Sequence, residues 1–289
     1  LYDPVSNSFG TANLGETGGL GSHAFQRPDG KFLFIDAAGN ITEIYNPITN
    51  SRITGPTLID NAGHGSHSIL RPDGKFLIIE AGGIASTSVY DPIANTMATG
   101  TPLTAIAGRG AHSLQRPDGK FLIISGNNTV STSIYDSVSF QMFSGPTTTA
   151  NVGNGGFSLQ RHDGKFLIMH GGGLTSTSIY DPIANTITTG PTLVQTIGAS
   201  SNGAGSHALQ RPDGKFVILS GRNIVGTTTL YDPFSNTATT GPMISAEMGI
   251  GGHSIQLFNG KYLIFPGEGT TTTLFYDAGW LTQGFYQSE

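Results

Sequence analysis

The 289-residue chain contains no cysteine, which excludes disulfide bonds, thiolate metal sites and cysteine nucleophiles together. Tryptophan occurs once, and charged residues make up only 11% of the sequence. The formal net charge of −5 argues against nucleic-acid binding, which calls for a basic surface. No apolar run approaches the roughly 18 residues of a membrane-spanning helix. Glycine, by contrast, is abundant, with 42 residues.

One nine-residue pattern, Arg-Pro-Asp-Gly-Lys followed by a run such as Phe-Leu-Ile-Ile, recurs along the chain. Its lysines are the only six in the protein: Lys31, Lys75, Lys120, Lys165, Lys215 and Lys261. A tyrosine recurs with the same period, usually followed by Asp and often by Pro: Tyr45, Tyr90, Tyr135, Tyr180, Tyr231 and Tyr276. The sequence therefore consists of six copies of one unit of about 45 residues, which predicts a single domain over 1–289.

Each unit predicts four short strands. Two apolar runs, "HSLQ" and "KFLII" in one copy, flank Arg-Pro-Asp-Gly, where proline presets φ and glycine takes the left-handed conformation of a tight hairpin. The runs "STSIY" and "NTMATGTP" predict a third and a fourth strand. No segment longer than about ten residues shows a helical period. Six such four-stranded antiparallel units predict an all-β fold, a six-bladed β-propeller.

The repeat resembles the kelch repeat in its hairpin, in its tyrosine and in the glycine pair Gly82-Gly83. The runs "DGKFLIISG", "SIYDPIANT" and "GRGAHS" carry this resemblance, which covers almost the whole chain. The WD repeat fits less well, because no Trp-Asp pair is present. The sequence departs from the kelch pattern in the fourth strand, where tryptophan is replaced by other residues: Arg52, Met97, Met142, Ile187 and Ala238.

The resemblance places the chain in the galactose-oxidase-type kelch superfamily. For an enzyme of that type it implies copper held by Tyr and His, together with a Tyr–Cys crosslink, which a chain without cysteine cannot form. We therefore expect a non-catalytic member with no cofactor. Asp36 and Glu80, at equivalent strand ends of adjacent units, are the remaining acid–base candidates, and no nucleophile motif accompanies them.

Histidine starts the first predicted strand in five units, and phenylalanine replaces it in the fourth. In kelch-like propellers this strand lines the channel, so these residues predict a ring at the channel mouth. Imidazoles could bind a metal or an anion there, but opposite blades lie too far apart to share one metal at about 2.1 Å. We expect hydrogen-bonded structural histidines and no metal site. The ring comprises His23, His67, His112, Phe157, His207 and His253.

The near-identical units stop agreeing five residues after the motif lysine, where the chain has Asp36, Glu80, Ser125, His170, Ser220 and Pro266. Such variation indicates a surface where blades take different roles, with neutral drift as the alternative. Glycine-rich loops such as "GETGGLGSH" lie on the same side, and we expect them to expose backbone amides and carbonyls. The predicted binding face comprises Asp36, Glu80, Arg109, His170, Arg222 and Glu268. On the opposite face, the turn arginines and lysines balance the aspartates, which indicates a structural role.

These features predict a non-catalytic, extracellular or surface-displayed propeller that binds a protein, a glycan or its own copies through the glycine-rich loop face. A structural subunit of a fibre, sheath or surface layer is the first alternative, and a glycan-binding lectin is the second. A glycan-active hydrolase ranks last. Neither a nucleic acid nor a membrane span is expected.

The two chain ends carry a further prediction. The first residues, "LYDPVSNSF", repeat the tyrosine strand a seventh time. We expect residues 1–14 to supply a closing strand, with residues near 6–13 paired beside the strand of Tyr276. The C-terminal tail 279–289 would then be surplus, and its apolar side chains would pack on the propeller flank or on a neighbouring molecule. Such terminal strands predict a route to a homopolymer.

Overall fold

The computed structural model describes residues 2–3, 8–9, 21–37, 39–198, 205–221, 226–246, 248–257, 259–267, 272–278 and 284–287. All regular secondary structure in these residues is β, in strands of two to five residues. The described residues contain no helix long and apolar enough to cross a membrane.

The first strands along the chain are short, β1 (Tyr2–Asp3) and β2 (Ser8–Phe9), and they pair with each other. Three four-stranded sheets follow. Sheet 1 contains β3 (His23–Gln26), β4 (Phe32–Ile35), β5 (Thr42–Asn46) and β6 (Ser51–Thr54). Sheet 2 contains β7 (His67–Leu70), β8 (Phe76–Ile79), β9 (Thr87–Asp91) and β10 (Thr96–Thr99). Sheet 3 contains β11 (His112–Gln115), β12 (Phe121–Ile124), β13 (Thr132–Asp136) and β14 (Gln141–Ser144).

The remaining sheets repeat the same order of strands. Sheet 4 contains β15 (Phe157–Gln160), β16 (Phe166–Met169), β17 (Thr177–Asp181) and β18 (Thr186–Thr189). Sheet 5 contains β19 (His207–Gln210), β20 (Phe216–Leu219), β21 (Thr229–Asp232) and β22 (Thr237–Thr240). Sheet 6 contains β23 (His253–Gln256), β24 (Tyr262–Phe265), β25 (Leu274–Asp277) and β26 (Gly284–Gln287). These six four-stranded antiparallel sheets are the blades of a β-propeller, which confirms the predicted fold class.

The chain packs as two compact units, one formed by residues 1–108 with 135–143 and the other by residues 109–134 with 144–289. Within each unit, the apolar core lies between consecutive sheets. In the first unit, Leu33 and Ile35 of sheet 1 pack with Phe76 and Ile78 of sheet 2. Because one sheet alone cannot cover its apolar side chains, each sheet depends on its neighbour for burial.

The Arg-Pro-Asp-Gly segment forms the predicted hairpin turn between the first and second strands. In sheet 2, the amide of Arg71 donates to the carbonyl of Lys75 at 2.8 Å, and the amide of Gly74 donates to the carbonyl of Arg71 at 3.0 Å. Gly74 has φ +80°, and a Cβ atom there would meet nothing within 4 Å. Glycine is therefore required by the left-handed conformation rather than by lack of space.

The prediction that an N-terminal strand closes the last blade is wrong. The outer strand of sheet 6 is β26, in which Phe285 pairs with Tyr276, whereas Ser8 and Phe9 pair with β1. The described part of the tail, 284–287, is thus a blade strand and is not surplus; Trp280 and Leu281 lie outside the described residues. A local hairpin closes a much shorter loop than pairing between the two chain ends, so its entropic cost is lower.

One residue breaks the repeat in the hairpin between the third and fourth strands. Asparagine occupies the same position in four sheets, at φ between 50° and 55°: Asn50, Asn95, Asn185 and Asn236. Each of these side chains accepts a hydrogen bond from the tyrosine hydroxyl of its own sheet, at 2.9–3.1 Å. Sheet 3 has Phe140 instead, at φ 59°, and the buried hydroxyl of Tyr135 has no hydrogen-bond partner. The Arg71 guanidinium lies 3.7 Å from the centre of the Phe140 ring.

We expect Phe140→Asn to stabilise the protein. The substitution places a residue that tolerates the left-handed conformation at this position and provides Tyr135 with an acceptor, each worth about 1 kcal/mol. The lost contact with Arg71 offsets about 0.5–1 kcal/mol of this gain. The net effect should raise the melting temperature by roughly 2–4 °C in a calorimetric scan. The reverse change in sheet 2, Asn95→Phe, should lower it, and an unchanged or lower value for Phe140→Asn would contradict this account.

Candidate functional site

Three turn arginines, Arg27, Arg116 and Arg161, donate hydrogen bonds to the following sheet. Nη1 of Arg27 donates to the hydroxyl of Tyr90 at 2.6 Å and to Oδ1 of Asn95 at 2.9 Å. Nη2 donates to the carbonyl of Pro92 at 3.1 Å, and Nε donates to Asp29 in its own turn at 3.1 Å. Burial raises the pKa of Tyr90, so its hydroxyl stays protonated and donates to Asn95. This group of bonds, here called the arginine clasp, joins the first sheet to the second.

The second unit repeats the clasp twice. Arg116 donates to the hydroxyl of Tyr180 and to Asn185, both at 2.7 Å, and Arg161 donates to the hydroxyl of Tyr231 at 2.9 Å. All five turn arginines are buried, with side-chain exposures of 8–10%, whereas their turn aspartates are 23–43% exposed. The expected structural role therefore rests on buried bonds between sheets and not on exposed ion pairs.

The first-strand histidines also bond to neighbouring residues. Nδ1 of His112 donates to the carbonyl of Gly110 at 2.8 Å, which leaves Nε2 to accept from the hydroxyl of Ser158 in the next sheet at 2.6 Å. In the first unit, Nε2 of His23 accepts from Ser68 of the next sheet at 2.7 Å. The Nδ1 atoms of His67, His207 and His253 also lie 2.7–3.2 Å from the carbonyl two residues earlier. Phe157 begins β15 in the same strand position.

Burial favours the uncharged form of three of these imidazoles. It lowers the pKa of His23 and of His207 from 6.5 to about 4, and it also lowers the pKa of His67. A neutral imidazole that accepts a serine hydroxyl attracts an anion weakly. Within the part of the chain that the structure describes, no three His, Asp or Glu side chains are grouped so that they could hold a metal ion.

The variable position after the second strand lies in the interior. Glu80 is fully buried, and its Oε1 accepts hydrogen bonds from the Ser88 hydroxyl at 2.5 Å and from the Asp60 amide at 3.1 Å. His170 is fully buried at the same place in sheet 4, with its two ring nitrogens 2.8 and 2.7 Å from the hydroxyls of Ser176 and Ser178. Burial raises the pKa of Glu80 and lowers that of His170 to about 4, so it favours the uncharged form of both.

This burial corrects the predicted binding face. Glu80 and His170 cannot contact a partner, because both are enclosed by their own sheet and the preceding connection. Asp36 and Arg109 are partly exposed, and the Ser22 hydroxyl donates to Asp36 at 3.4 Å. Arg222 lies outside the described residues, as does Glu268. Ser125, Ser220 and Pro266 are buried as well. In every sheet except sheet 1, where Asp36 is partly exposed, the variation is therefore between side chains at one interior position.

The glycine-rich loops pack closely against one another and are less open than expected. In the first unit, a Cβ atom on Gly63 would overlap the Cα of Gly82, and one on Gly21 would overlap the carbonyl of Gly63. In the second unit, a Cβ on Gly110 would overlap the carbonyl of Gly153. Glycine is needed here for close contact between backbones, and those contacts cover part of the backbone that we expected to be exposed.

Sequence reasoning missed one set of exposed apolar residues, here called the tip residues. They lie in the turn between the third and fourth strands of five sheets, at 93, 91, 80, 81 and 66% exposure: Ile48, Ile93, Val138, Ile183 and Phe234. The signal was present, since an aliphatic or aromatic residue recurs at the third position of these turns, between residues that are mostly polar or proline.

No protein-family model matches the chain, and no curated protein matches it either. Among solved structures, it is similar to a fungal alcohol oxidase of the AA5 family in complex with copper, with a TM-score of 0.64 and 16% sequence identity. The similarity covers 94% of this chain and 65% of that one, so the chain spans about two thirds of the length of the oxidase. At this identity the likeness shows the fold alone.

The side chains of this chain do not fit the copper that the oxidase holds. Cysteine is absent, and the described residues gather no set of three His, Asp or Glu donors. Both ring nitrogens of His23 and of His112 are hydrogen-bonded to a glycine carbonyl and a serine hydroxyl. We derive no reaction step through copper.

The arginine clasp predicts a specific loss of stability in Arg116→Lys. Lysine keeps the charge but cannot donate to Asp118, Tyr180 and Asn185 at once, because it lacks the planar fork. We expect unfolding in urea to show a loss of about 1–3 kcal/mol. Lys165→Arg, in the exposed pair with Asp181 at 2.9 Å, is the charge-conserving control and should leave the midpoint nearly unchanged. Equal effects of the two substitutions would show that the clasp adds nothing beyond charge.

The buried histidines predict loss of stability in acid. Their pKa in the folded protein, about 4 for His23, His170 and His207, lies below the 6.5 of an exposed histidine. The unfolded chain therefore binds protons first, and stability falls as the pH drops from 6.5 towards 4. At pH 5, each of these histidines should therefore lower the free energy of unfolding by about 1–2 kcal/mol relative to its value at pH 7.

The histidine contribution can be isolated with two substitutions taken from sibling sheets. His170→Ser, the residue of sheets 3 and 5, should make the melting temperature less sensitive to pH between 6.5 and 4. His162→Pro, at an exposed turn where other sheets have proline, is the control. An identical pH dependence in the His170→Ser and wild-type proteins would contradict the assignment.

Proposed function

We propose that this chain is a non-catalytic propeller of the kelch type that serves as a binding scaffold outside the cell or at its surface. The hairpin, glycine pair and tyrosine of each repeat support the kelch assignment, as does the fold similarity to the AA5 oxidase. The low content of charged residues, with abundant Gly, Ser and Thr, favours the extracellular location.

The observation that carries the proposal is that side chains which could act in catalysis form hydrogen bonds within the fold instead. Three turn arginines bond to the next sheet, as Arg27 does to Tyr90. Two first-strand histidines, His23 and His112, bond to serines of the next sheet. The buried carboxylate of Glu80 bonds within its sheet and to the preceding connection. These side chains support the fold, and recognition is left to the exposed loops and turns.

The partner classes are those that a relatively rigid, weakly charged surface recognises: a protein, a glycan or another copy of the chain. Turns held by a packed scaffold lose little conformational entropy on binding, which favours affinity. In a fibre or surface layer, the binding partner of each chain would be another copy of the same chain.

Turnover assays test the non-catalytic assignment. The purified chain, with and without added copper, should release no hydrogen peroxide from galactose or simple alcohols above the rate of buffer. It should also release no reducing sugar from a panel of glycans, while a glycan array scores binding on the same preparation. Turnover that copurifies with the protein and disappears in Asp36→Asn or Glu80→Gln would overturn the proposal.

A further inference from the structure

We propose that the sheet ends carrying the tip residues form an interface between copies of this chain. This inference rests on the proposed function and deepens it, because it names the partner and the surface. The observations that support it are the fixed geometry of the tips, their exposure, and the neutralised charges beside them.

Each tip is held by the residue that ends the third strand. In sheet 2, Oδ1 of Asp91 accepts from the backbone amides of Ile93 and Ala94, both at 3.0 Å, and Asn95 closes the turn at φ 54°. Sheet 4 repeats this geometry, with Asp181 bonded to the amide of Ile183 at 3.0 Å. The apolar side chain therefore points into solvent from a turn that is already ordered, which lowers the entropic cost of docking.

The exposure of these side chains is too regular to be incidental. Single exposed apolar residues are ordinary on protein surfaces. Here five sheets place one at the same turn position, at 66–93% exposure: Ile48, Ile93, Val138, Ile183 and Phe234. The positions around them in the same turns hold polar residues, proline or alanine, except for Phe140 in sheet 3, so the tip position is the one that is apolar in all five sheets.

The Phe234 tip shows that the apolar surface extends onto the neighbouring turns. Its ring stacks on His162 of the sheet 4 turn, with centroids 4.0 Å apart and an interplanar angle of 25°. It also lies 3.1 Å from where a Cβ atom would be on Gly214, in the Arg-Pro-Asp-Gly turn of its own sheet. Tip and turn thus lie side by side, and the turn prolines are exposed in four other sheets: Pro28, Pro72, Pro117 and Pro212.

The charges at these sheet ends are paired. Beside the tips, Lys75 lies 2.9 Å from Asp91, Lys165 lies 2.9 Å from Asp181, and Lys215 lies 3.1 Å from Asp232. With the turn arginines, the basic residues of the motif number eleven, and the turn and tyrosine-linked aspartates of the six sheets number ten, so the charges nearly cancel.

This balance decides which partner fits. A highly charged partner such as nucleic acid gains little net attraction from a surface whose charges nearly cancel. A second copy presents the same apolar tips, and its charges are likewise paired within their own sheets, so contact between two copies buries apolar area with little electrostatic repulsion.

Sedimentation velocity of the full chain tests the proposal. We expect concentration-dependent association between about 1 and 100 µM protein, undiminished in about 1 M sodium chloride, because an apolar, charge-balanced contact is not weakened by screening. The double variant Ile93→Ser with Ile183→Ser should raise the dissociation constant at least tenfold, since each change removes a buried aliphatic side chain from the contact. The melting temperature should stay within a few degrees of wild type, because both side chains are over 80% exposed.

A matched control uses exposed apolar residues at the opposite sheet ends. Ile59→Ser with Met243→Ser changes one residue in each compact unit, at 47 and 69% exposure, and should leave association unchanged. A chain that stays monomeric at the highest concentration overturns the inference, as does a control variant that weakens association equally. Dissociation in high salt points to ionic contacts and also overturns it. None of these outcomes bears on turnover, so the non-catalytic assignment is judged separately.

Discussion

The arginine clasp is the interaction on which much of this structure depends. A guanidinium group is planar and carries five N–H donors, so one side chain can bond to its own turn aspartate and to a tyrosine and an asparagine of the next sheet. Arg27, Arg116 and Arg161 make these contacts. Because the tyrosine is buried and the asparagine closes the tip turn, the clasp links the core between two sheets to the geometry of the surface.

Other buried polar side chains also bond to neighbouring segments. His112 holds Ser158 of the next sheet, and Glu80 receives a bond from the connection that leaves the previous sheet, through the Asp60 amide. Buried polar groups of this kind cost free energy unless they are paired, and pairing across sheets gives the packing a single register. Sheet 3 illustrates the cost of an exception, because Phe140 in place of asparagine leaves the Tyr135 hydroxyl without a partner.

The surface follows from this arrangement. Once arginines, histidines and the variable buried position are used to join sheets, the residues most available to a partner are the tips, whose backbone is held by Asp91 and its equivalents. In such a propeller, polar side chains form hydrogen bonds between sheets, and apolar side chains are exposed at the turns. This separation supports the proposed role in recognition, and the paired charges support the proposed contact between copies.

Local chemistry determined what could be predicted from the sequence: the six repeats, the four strands in each, and the Arg-Pro-Asp-Gly turn, in which Gly74 takes a positive φ. Tertiary structure alone decided three other features. The outer strand of sheet 6 is formed by residues 284–287. Either end of the chain could have supplied this strand, and the local hairpin closes the shorter loop. Glu80 and His170 are buried, whereas Ile93 is exposed. Burial depends on which neighbouring segment covers a position, and the repeat pattern of the sequence does not show which segments become neighbours.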